Sequence, residues 1–250
     1  MKLLHTLFFL LILNTSYSQP TNNYFEKIRN NEAELTAFFS QMPKGGDLHH
    51  HFSGSIYAEP LLQHAIADDF YLNIETMDVL KEKPSTGIWK QFSTLKNNGT
   101  LDFYKQKIMQ KWSVKDYNYV DYPSDKLFFE SFMKFEPAIQ GNFGQGLLEL
   151  KKRAISENVS YIETQLSTIP TDMNTDDLAK FNIRLRKLAF EKDEKAVLQS
   201  LDSVYNSLLK KQAKTYAKEF NTNFVAKLHK DFKIDDAQFT MRYQNFVLRF

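Results

Sequence analysis

The segment 42–55, MPKGGDLHHHFSGS, holds three consecutive histidines, the residues of this chain best suited to chemistry. The pattern predicts a β-strand over 47–52, in which side chains alternate between the two faces. His49 and His51 then point to one side and His50 points to the other. Two imidazoles on one face, two residues apart, can share a metal ion, and zinc binds histidine nitrogen at roughly 2.0–2.1 Å. The sequence therefore predicts a candidate metal site at His49 and His51.

A histidine pair alone does not establish a metal site, because histidines also occur on strands as hydrogen-bonded core residues or as exposed polar residues. The flanking residues are more specific: Pro43-Lys44 lies just before the strand, and Gly54-Ser55 lies just after it. The run P-K-G-G-D-L-H-H-H-F-S-G resembles the first metal motif of the adenosine deaminase family, P-K-x-x-L-H-x-H-L-D-G. It looks most like the secreted, growth-factor-related branch of that family and its bacterial relatives.

The resemblance implies a fold, a cofactor and a reaction. The fold would be α/β, the N-terminal part of a (β/α)8 barrel with long helical insertions, and Zn²⁺ would be bound by His49 and His51 on its first strand. The reaction would be hydrolytic deamination of adenosine, or a related purine nucleoside, to inosine and ammonia. His51 and Ser53 would contact the substrate. Ser53 stands where the family motif has an Asp that contacts the sugar, so this chain departs from the pattern there.

Hydrophobic periodicity predicts an alternation of helices and strands along the rest of the chain. Helices are predicted over 24–42, 57–67, 88–112 in two pieces broken near 97–99, 124–134, 142–158 and most of 175–232. Further strands are predicted over 159–166 and 238–250, with a short strand pair within 69–79. A helix that leads into a strand is the repeat of a parallel sheet. The strand 159–166 resembles the second barrel strand of the deaminases, Y-x-E-x-R, with Gln165 in the place of the Arg.

The catalytic groups that the resemblance implies are not found in this chain. In the family they come from later motifs: a third metal histidine, an H-A-G-E helix, a further histidine and an S-D-D-P-like Asp. None of these patterns occurs after Phe143, and His229 lies in a basic segment, KLHKDF, that matches none of them. We therefore expect residues 19–250 to be the N-terminal portion of a deaminase-like domain. We expect this chain to be a truncated and inactive fragment of such an enzyme.

The first residues predict export from the cytoplasm. Lys2 is followed by an apolar run over 7–13 and by the small residues Ser16 and Ser18, which is typical of a secretory signal peptide over 1–18. The apolar run is far shorter than the roughly 20 residues that cross a bilayer. The chain has no cysteine, which excludes disulfides and thiolate metal sites. We expect a secreted or periplasmic protein without a membrane anchor after cleavage.

The balanced charge, +2 overall, gives no electrostatic reason to expect nucleic acid or a membrane surface as a partner. A small-molecule nucleoside is the expected partner, and a homodimer is left open. Two alternatives to the deaminase also remain. One is another metal-dependent amidohydrolase, since Asp47-Leu48-His49-His50-His51 also fits the D-x-H-x-H pattern of that superfamily. The other is a secreted module that binds nucleoside or metal without turnover.

The predicted signal peptide leads to a direct test. Mass spectrometry of the exported protein should find Gln19, either free or cyclised, as the first residue, because cleavage after Ser18 follows the small residues that signal peptidase recognises. A cytoplasmic protein that retains Met1 would contradict both the signal peptide and the extracytoplasmic location.

Overall fold

The computed structural model describes residues 18–115, 117, 122–168, 175–210 and 213–246. The signal peptide predicted over 1–18 lies outside these residues except for Ser18, at which the first helix begins. No helix in the described part of the chain is both long enough and apolar enough to cross a bilayer.

Helices and strands alternate along the chain in the order that the periodicity predicts. The first half comprises α1 (Ser18–Ile28), α2 (Glu32–Gln41), β1 (Gly45–His51), α3 (Phe52–Ser55), α4 (Ala58–Ala67), β2 (Tyr71–Asn73), β3 (Val79–Leu80), β4 (Trp89–Gln91), α5 (Phe92–Asn97) and α6 (Leu101–Trp112). The second half comprises α7 (Ser124–Gln140), α8 (Phe143–Ser156), β5 (Val159–Thr168), α9 (Thr175–Phe190), α10 (Glu194–Lys210), α11 (Ala213–Glu219), a π-helix (Phe220–Val225), α12 (Ala226–Asp231) and β6 (Thr240–Phe246).

The main sheet is parallel and has the strand order β1-β5-β6. The chain between β1 and β5 and the chain between β5 and β6 each contain several helices, as parallel neighbours require. The predicted α/β class is therefore confirmed. Among the described residues the sheet is open and three-stranded, and it does not close into a barrel. The β2, β3 and β4 strands form a second, antiparallel sheet, of which the sequence predicted only the first pair.

The two faces of the main sheet differ in composition because side chains alternate along each strand. On β5, Ile162, Thr164 and Leu166 are buried, whereas Tyr161 and Glu163 are only half-buried. The buried face packs on helices α3 and α8 and on the core that they share. The opposite face carries polar side chains. We therefore expect functional side chains of this sheet on that face and at the strand ends.

Helix α8 packs unusually close to α3. Gly146 of α8 is buried, and a Cβ atom there would lie 2.8 Å from the ring of Phe52 and 3.2 Å from Ile56. Phe52 is 1% exposed and stacks on Phe143 at a centroid distance of 5.3 Å. The glycine therefore allows the one-turn helix that follows the histidines to sit directly against α8.

The predicted single helix over 24–42 is wrong, since the structure has two helices there. Asn31 caps the second helix, and its side-chain Oδ1 accepts a hydrogen bond from the Glu34 backbone N–H at 3.2 Å. The aromatic residues that suggested one continuous stripe instead meet across the two helices. Phe38 contacts Tyr24 and Phe25 at centroid distances of 6.0 and 5.9 Å.

The other predicted helices are confirmed with shifted ends, except that residues 89–91, predicted to be helical, form strand β4. The break predicted near 97–99 occurs at Asn98 and Gly99, where Gly99 adopts a φ of +69°. Helix α7 continues past its predicted end at residue 134 to Gln140, although it contains Pro137. The buried side chains of Phe135, Ala138 and Ile139 explain this extension, because tertiary packing offsets the hydrogen bond that proline removes.

A pair of glycine substitutions tests the close packing of α8. We expect Gly146→Ala to lower the free energy of unfolding by about 1–3 kcal/mol, because Phe52 is too enclosed to move away from the added methyl group. Gly141→Ala is the matched control. It is exposed, has a φ of −78°, and its added Cβ would meet nothing closer than 3.9 Å. Urea unfolding measures both, and equal stability of the two variants would contradict this packing.

Candidate functional site

The rings of His49 and His51 meet at the C-terminal end of β1. Their Nε2 atoms are 3.1 Å apart, their ring centroids are 5.0 Å apart, and both residues are exposed. The prediction that these two rings share one side of the strand is confirmed. The C-terminal ends of parallel strands are also where ligands bind in α/β sheets.

An irregularity in β1 sets this arrangement. Asp47 pairs with Ile162 and His50 pairs with Thr164, so three steps along β1 match two steps along β5. The Asp47 carboxylate accepts a hydrogen bond from the His49 backbone N–H at 3.0 Å, which fixes the backbone within the irregularity. The side-chain alternation therefore restarts at His50, and His51 falls opposite Gln165 of β5.

His50 points away from His49 and His51, as predicted, and the structure places it on the core side of the sheet. Its Nδ1 lies 3.0 Å from the hydroxyl oxygen of Thr164, a residue with no exposed surface. Burial lowers the pKa of His50, the Asp47 carboxylate partly opposes this shift, and the Arg153 guanidinium adds to it. His50 is thus a half-buried, hydrogen-bonded residue, which separates its role from that of its two neighbours.

Polar side chains of β5 and β6 lie beside the histidines on the face of the main sheet that points away from the core. We call this the open face. Gln165 Nε2 lies 3.4 Å from His49 Nε2. The Glu163 carboxylate accepts one hydrogen bond from the Tyr161 hydroxyl at 2.8 Å and another from the Gln244 amide at 2.7 Å. These two bonds lower the pKa of Glu163, so its carboxylate is held ionised on the open face.

A cavity of about 480 Å³ lies near the histidines in the chain, since its lining includes Gly54, three residues after His51. It lies between α3, the start of α4, the end of α6 and α7. Its apolar walls include Trp112, Phe128, Phe132 and Phe135. The salt bridge between Lys115 and Glu59, at 2.9 Å, supplies charged groups to the same lining. An aromatic cavity with few polar groups is suited to a flat, largely apolar ligand.

The aromatic side chains of α7 contribute both to the core and to the cavity. Phe135 is buried, while Phe128 is 43% exposed and lines the cavity. Glu59 and Lys115, 56 residues apart, carried no sequence signal, because only the tertiary fold pairs them.

Ser53 lies in the one-turn helix α3, two residues beyond His51, and is exposed. This position is open to a ligand that approaches the histidine pair. The substrate-binding role predicted for His51 and Ser53 stays a prediction.

The two histidine nitrogens fit a shared metal ion. In a tetrahedral site with bonds of roughly 2.0–2.1 Å, neighbouring donor atoms lie roughly 3.3–3.4 Å apart, close to the 3.1 Å that separates the two Nε2 atoms. Over the residues that the structure describes, no group of three or more His, Cys, Asp or Glu side chains converges to hold a metal. The pair thus supplies two of the donors that a metal site needs.

His229 belongs to a separate polar cluster that the sequence did not reveal. Its Nδ1 is 3.0 Å from the Tyr243 hydroxyl, and its Nε2 is 3.5 Å from a carboxylate oxygen of Asp235. Tyr243 pairs in register with Thr164, and burial raises the pKa of its hydroxyl. The cluster joins α12 to β6.

Comparison with known proteins adds no assignment, since no protein-family model matches the chain and no curated protein shows significant sequence similarity to it.

The geometry of the three histidines predicts different responses to substitution. His49→Ala or His51→Ala should weaken zinc binding more than tenfold, since each removes one of two converging nitrogens. His50→Ala should leave zinc affinity nearly unchanged, because its ring bonds to Thr164 on the other side of the sheet. Competition with a chromophoric chelator measures all three. An equal loss in all three variants would contradict the strand geometry.

Proposed function

We propose that this chain carries the first part of the active site of a zinc-dependent hydrolase that deaminates adenosine or a related purine nucleoside. The observation that carries the proposal is the convergence of His49 and His51 at the C-terminal end of a parallel strand. Their place in a run that resembles the first metal motif of the adenosine deaminases supplies the reaction class. In this proposal the three-stranded sheet corresponds to the start of a (β/α)8 barrel.

His49 and His51 would hold the zinc ion through their Nε2 atoms. A zinc ion bound there supplies Lewis-acid activation of water for attack on the purine carbon that carries the amino group. Both rings need their Nε2 lone pairs for this role, so the site requires neutral histidines.

The aromatic cavity supports a purine nucleoside as the ligand. Gly54 lines the cavity and follows Ser53 in the chain, so a base inside the cavity and a ribose near Ser53 would bring the ligand to the histidine pair. Aromatic side chains bind purine rings by stacking, which contributes about 1–3 kcal/mol per base. The exposed edge of Phe128 is available for such a contact.

A binding module without turnover is the second candidate. The observation that favours it is that two histidines, and no third His, Cys, Asp or Glu, converge at this point in the described part of the chain. Both candidates place zinc and a nucleoside at the same site, and they differ only in whether the amino group is released. In either case we propose that the protein acts outside the cytoplasm, in keeping with its predicted signal peptide.

Nucleoside binding tests the proposal. With zinc present, calorimetry should show that adenosine binds more tightly than uridine, because a purine fills more of the aromatic cavity. Phe128→Ala should weaken adenosine binding about tenfold, in line with the loss of one stacking contact. Phe129→Ala is the matched control, since this neighbouring ring is 69% exposed and does not line the cavity. Equal affinity for adenosine and uridine, or equal effects of the two variants, would contradict a purine site.

Ammonia release in the same samples separates the two candidates. If the chain is part of a deaminase, its turnover should be zinc-dependent, should be lost in His49→Ala, and should lie at least 10²-fold below an ordinary median of about 10 s⁻¹. The reduction is expected because the later acid–base motifs of the family do not occur in this sequence. Zinc-dependent ammonia release that is lost in His49→Ala would exclude the binding module, whereas adenosine binding with no ammonia release is expected both of an inactive fragment and of a binding module. Turnover near the median would show that we have misplaced the catalytic groups.

A further inference from the structure

We propose that Gln165 is the third protein donor of the metal site and that it coordinates through its side-chain amide oxygen. This inference rests on the proposed zinc site at His49 and His51. Glutamine lies outside the residue types that usually signal a metal site, and in the resembled strand motif an Arg occupies this position. The inference therefore comes from the geometry of this chain and not from the resemblance.

The distances around His49 have the size expected for one coordination sphere. The Nε2 atom of His49 lies 3.1 Å from His51 Nε2 and 3.4 Å from the terminal amide nitrogen of Gln165. Donor atoms that share a tetrahedral ion with bonds of roughly 2.0–2.1 Å lie roughly 3.3–3.4 Å apart. Both separations are close to that value.

The single lone pair of His49 Nε2 has two close polar neighbours. A neutral imidazole nitrogen carries either one proton or one lone pair. As a hydrogen-bond acceptor, His49 Nε2 would share its one lone pair between His51 and Gln165. A cation at the centre would instead receive one lone pair from each of the three groups.

The amide of Gln165 can present the required lone pair. A half-turn about its last side-chain bond exchanges the amide nitrogen and oxygen, which occupy equivalent positions. The oxygen then lies where the nitrogen contacts His49. No other hydrogen bond of the described residues competes for this amide, whereas the amide of Gln244, its neighbour in register on β6, donates to Glu163 at 2.7 Å.

Strand pairing holds the three donors in place. Gln165 pairs with His51 across β1 and β5, so the third donor is fixed by the same backbone ladder that fixes the histidines. The three donors would occupy three corners of a tetrahedron. One corner would remain for water or for a ligand, as in catalytic zinc sites.

Zinc affinities of the purified full chain and its variants test this role at neutral pH. Gln165→Ala should weaken zinc binding about tenfold, which is the scale of losing a residue that supports a metal ligand. Gln165→Glu should strengthen it about tenfold, because a carboxylate oxygen adds charge to the same corner. Gln244→Ala is the matched control and should leave zinc affinity unchanged, since its amide is bonded to Glu163.

The glutamate variant separates coordination from simple hydrogen bonding. If Gln165 only bonded to His49, a carboxylate at 165 would accept the His49 Nε2 proton and turn the lone pair away from zinc, so affinity would fall. A gain in affinity also cannot result from misfolding. Unchanged zinc affinity in Gln165→Ala, or a loss in Gln165→Glu, would overturn the inference. If zinc binding were still lost in His49→Ala, such a result would leave the proposed histidine site intact. If the unmodified chain did not bind zinc, both the histidine site and the role of Gln165 would be overturned.

Discussion

The candidate site depends on the parallel pairing of β1 with β5. That pairing sets His50 opposite Thr164 and His51 opposite Gln165. The irregularity after Asp47 shifts the pairing by one residue, so that His50, and not His49, lies opposite Thr164. Side chains alternate with period two, so a shift of one residue would bury His51 and expose His50. The buried contact between His50 and Thr164 therefore also fixes the orientation of the exposed histidines on either side of it.

The two faces of the main sheet have separate roles because, in the described part of the chain, only one of them packs on helices. Ile162, Leu166 and Met241 are buried against the helical layer and provide the apolar contacts that stabilise the sheet. The other face keeps Glu163 ionised through hydrogen bonds from Tyr161 and Gln244. A polar surface results, on which the Nε2 atoms of His49 and His51 lie 3.1 Å apart.

The short helix α3 connects this surface to the aromatic cavity. Phe52 anchors it in the core, Gly146 lets α8 approach it, and Gly54 contributes to the cavity wall. The chain thus passes from the metal-binding candidate to the ligand-binding candidate within a few residues. The enclosed position of Phe52 explains how a helix of one turn, with no side-chain cap, keeps a defined place.

The sequence by itself determined the α/β class, most of the helices and strands, and the facing of His49 and His51, because these follow from local periodicity. It did not determine the turn at Asn31 or the extension of α7 to Gln140, since a cap and a set of buried contacts decided those boundaries. The contact of Gln165 with His49, the pairing of Glu59 with Lys115 and the cluster at His229 were decided by tertiary structure alone. The first two of these join residues more than fifty positions apart, and all three depend on strand register and helix packing, for which the linear pattern of residues has no signal.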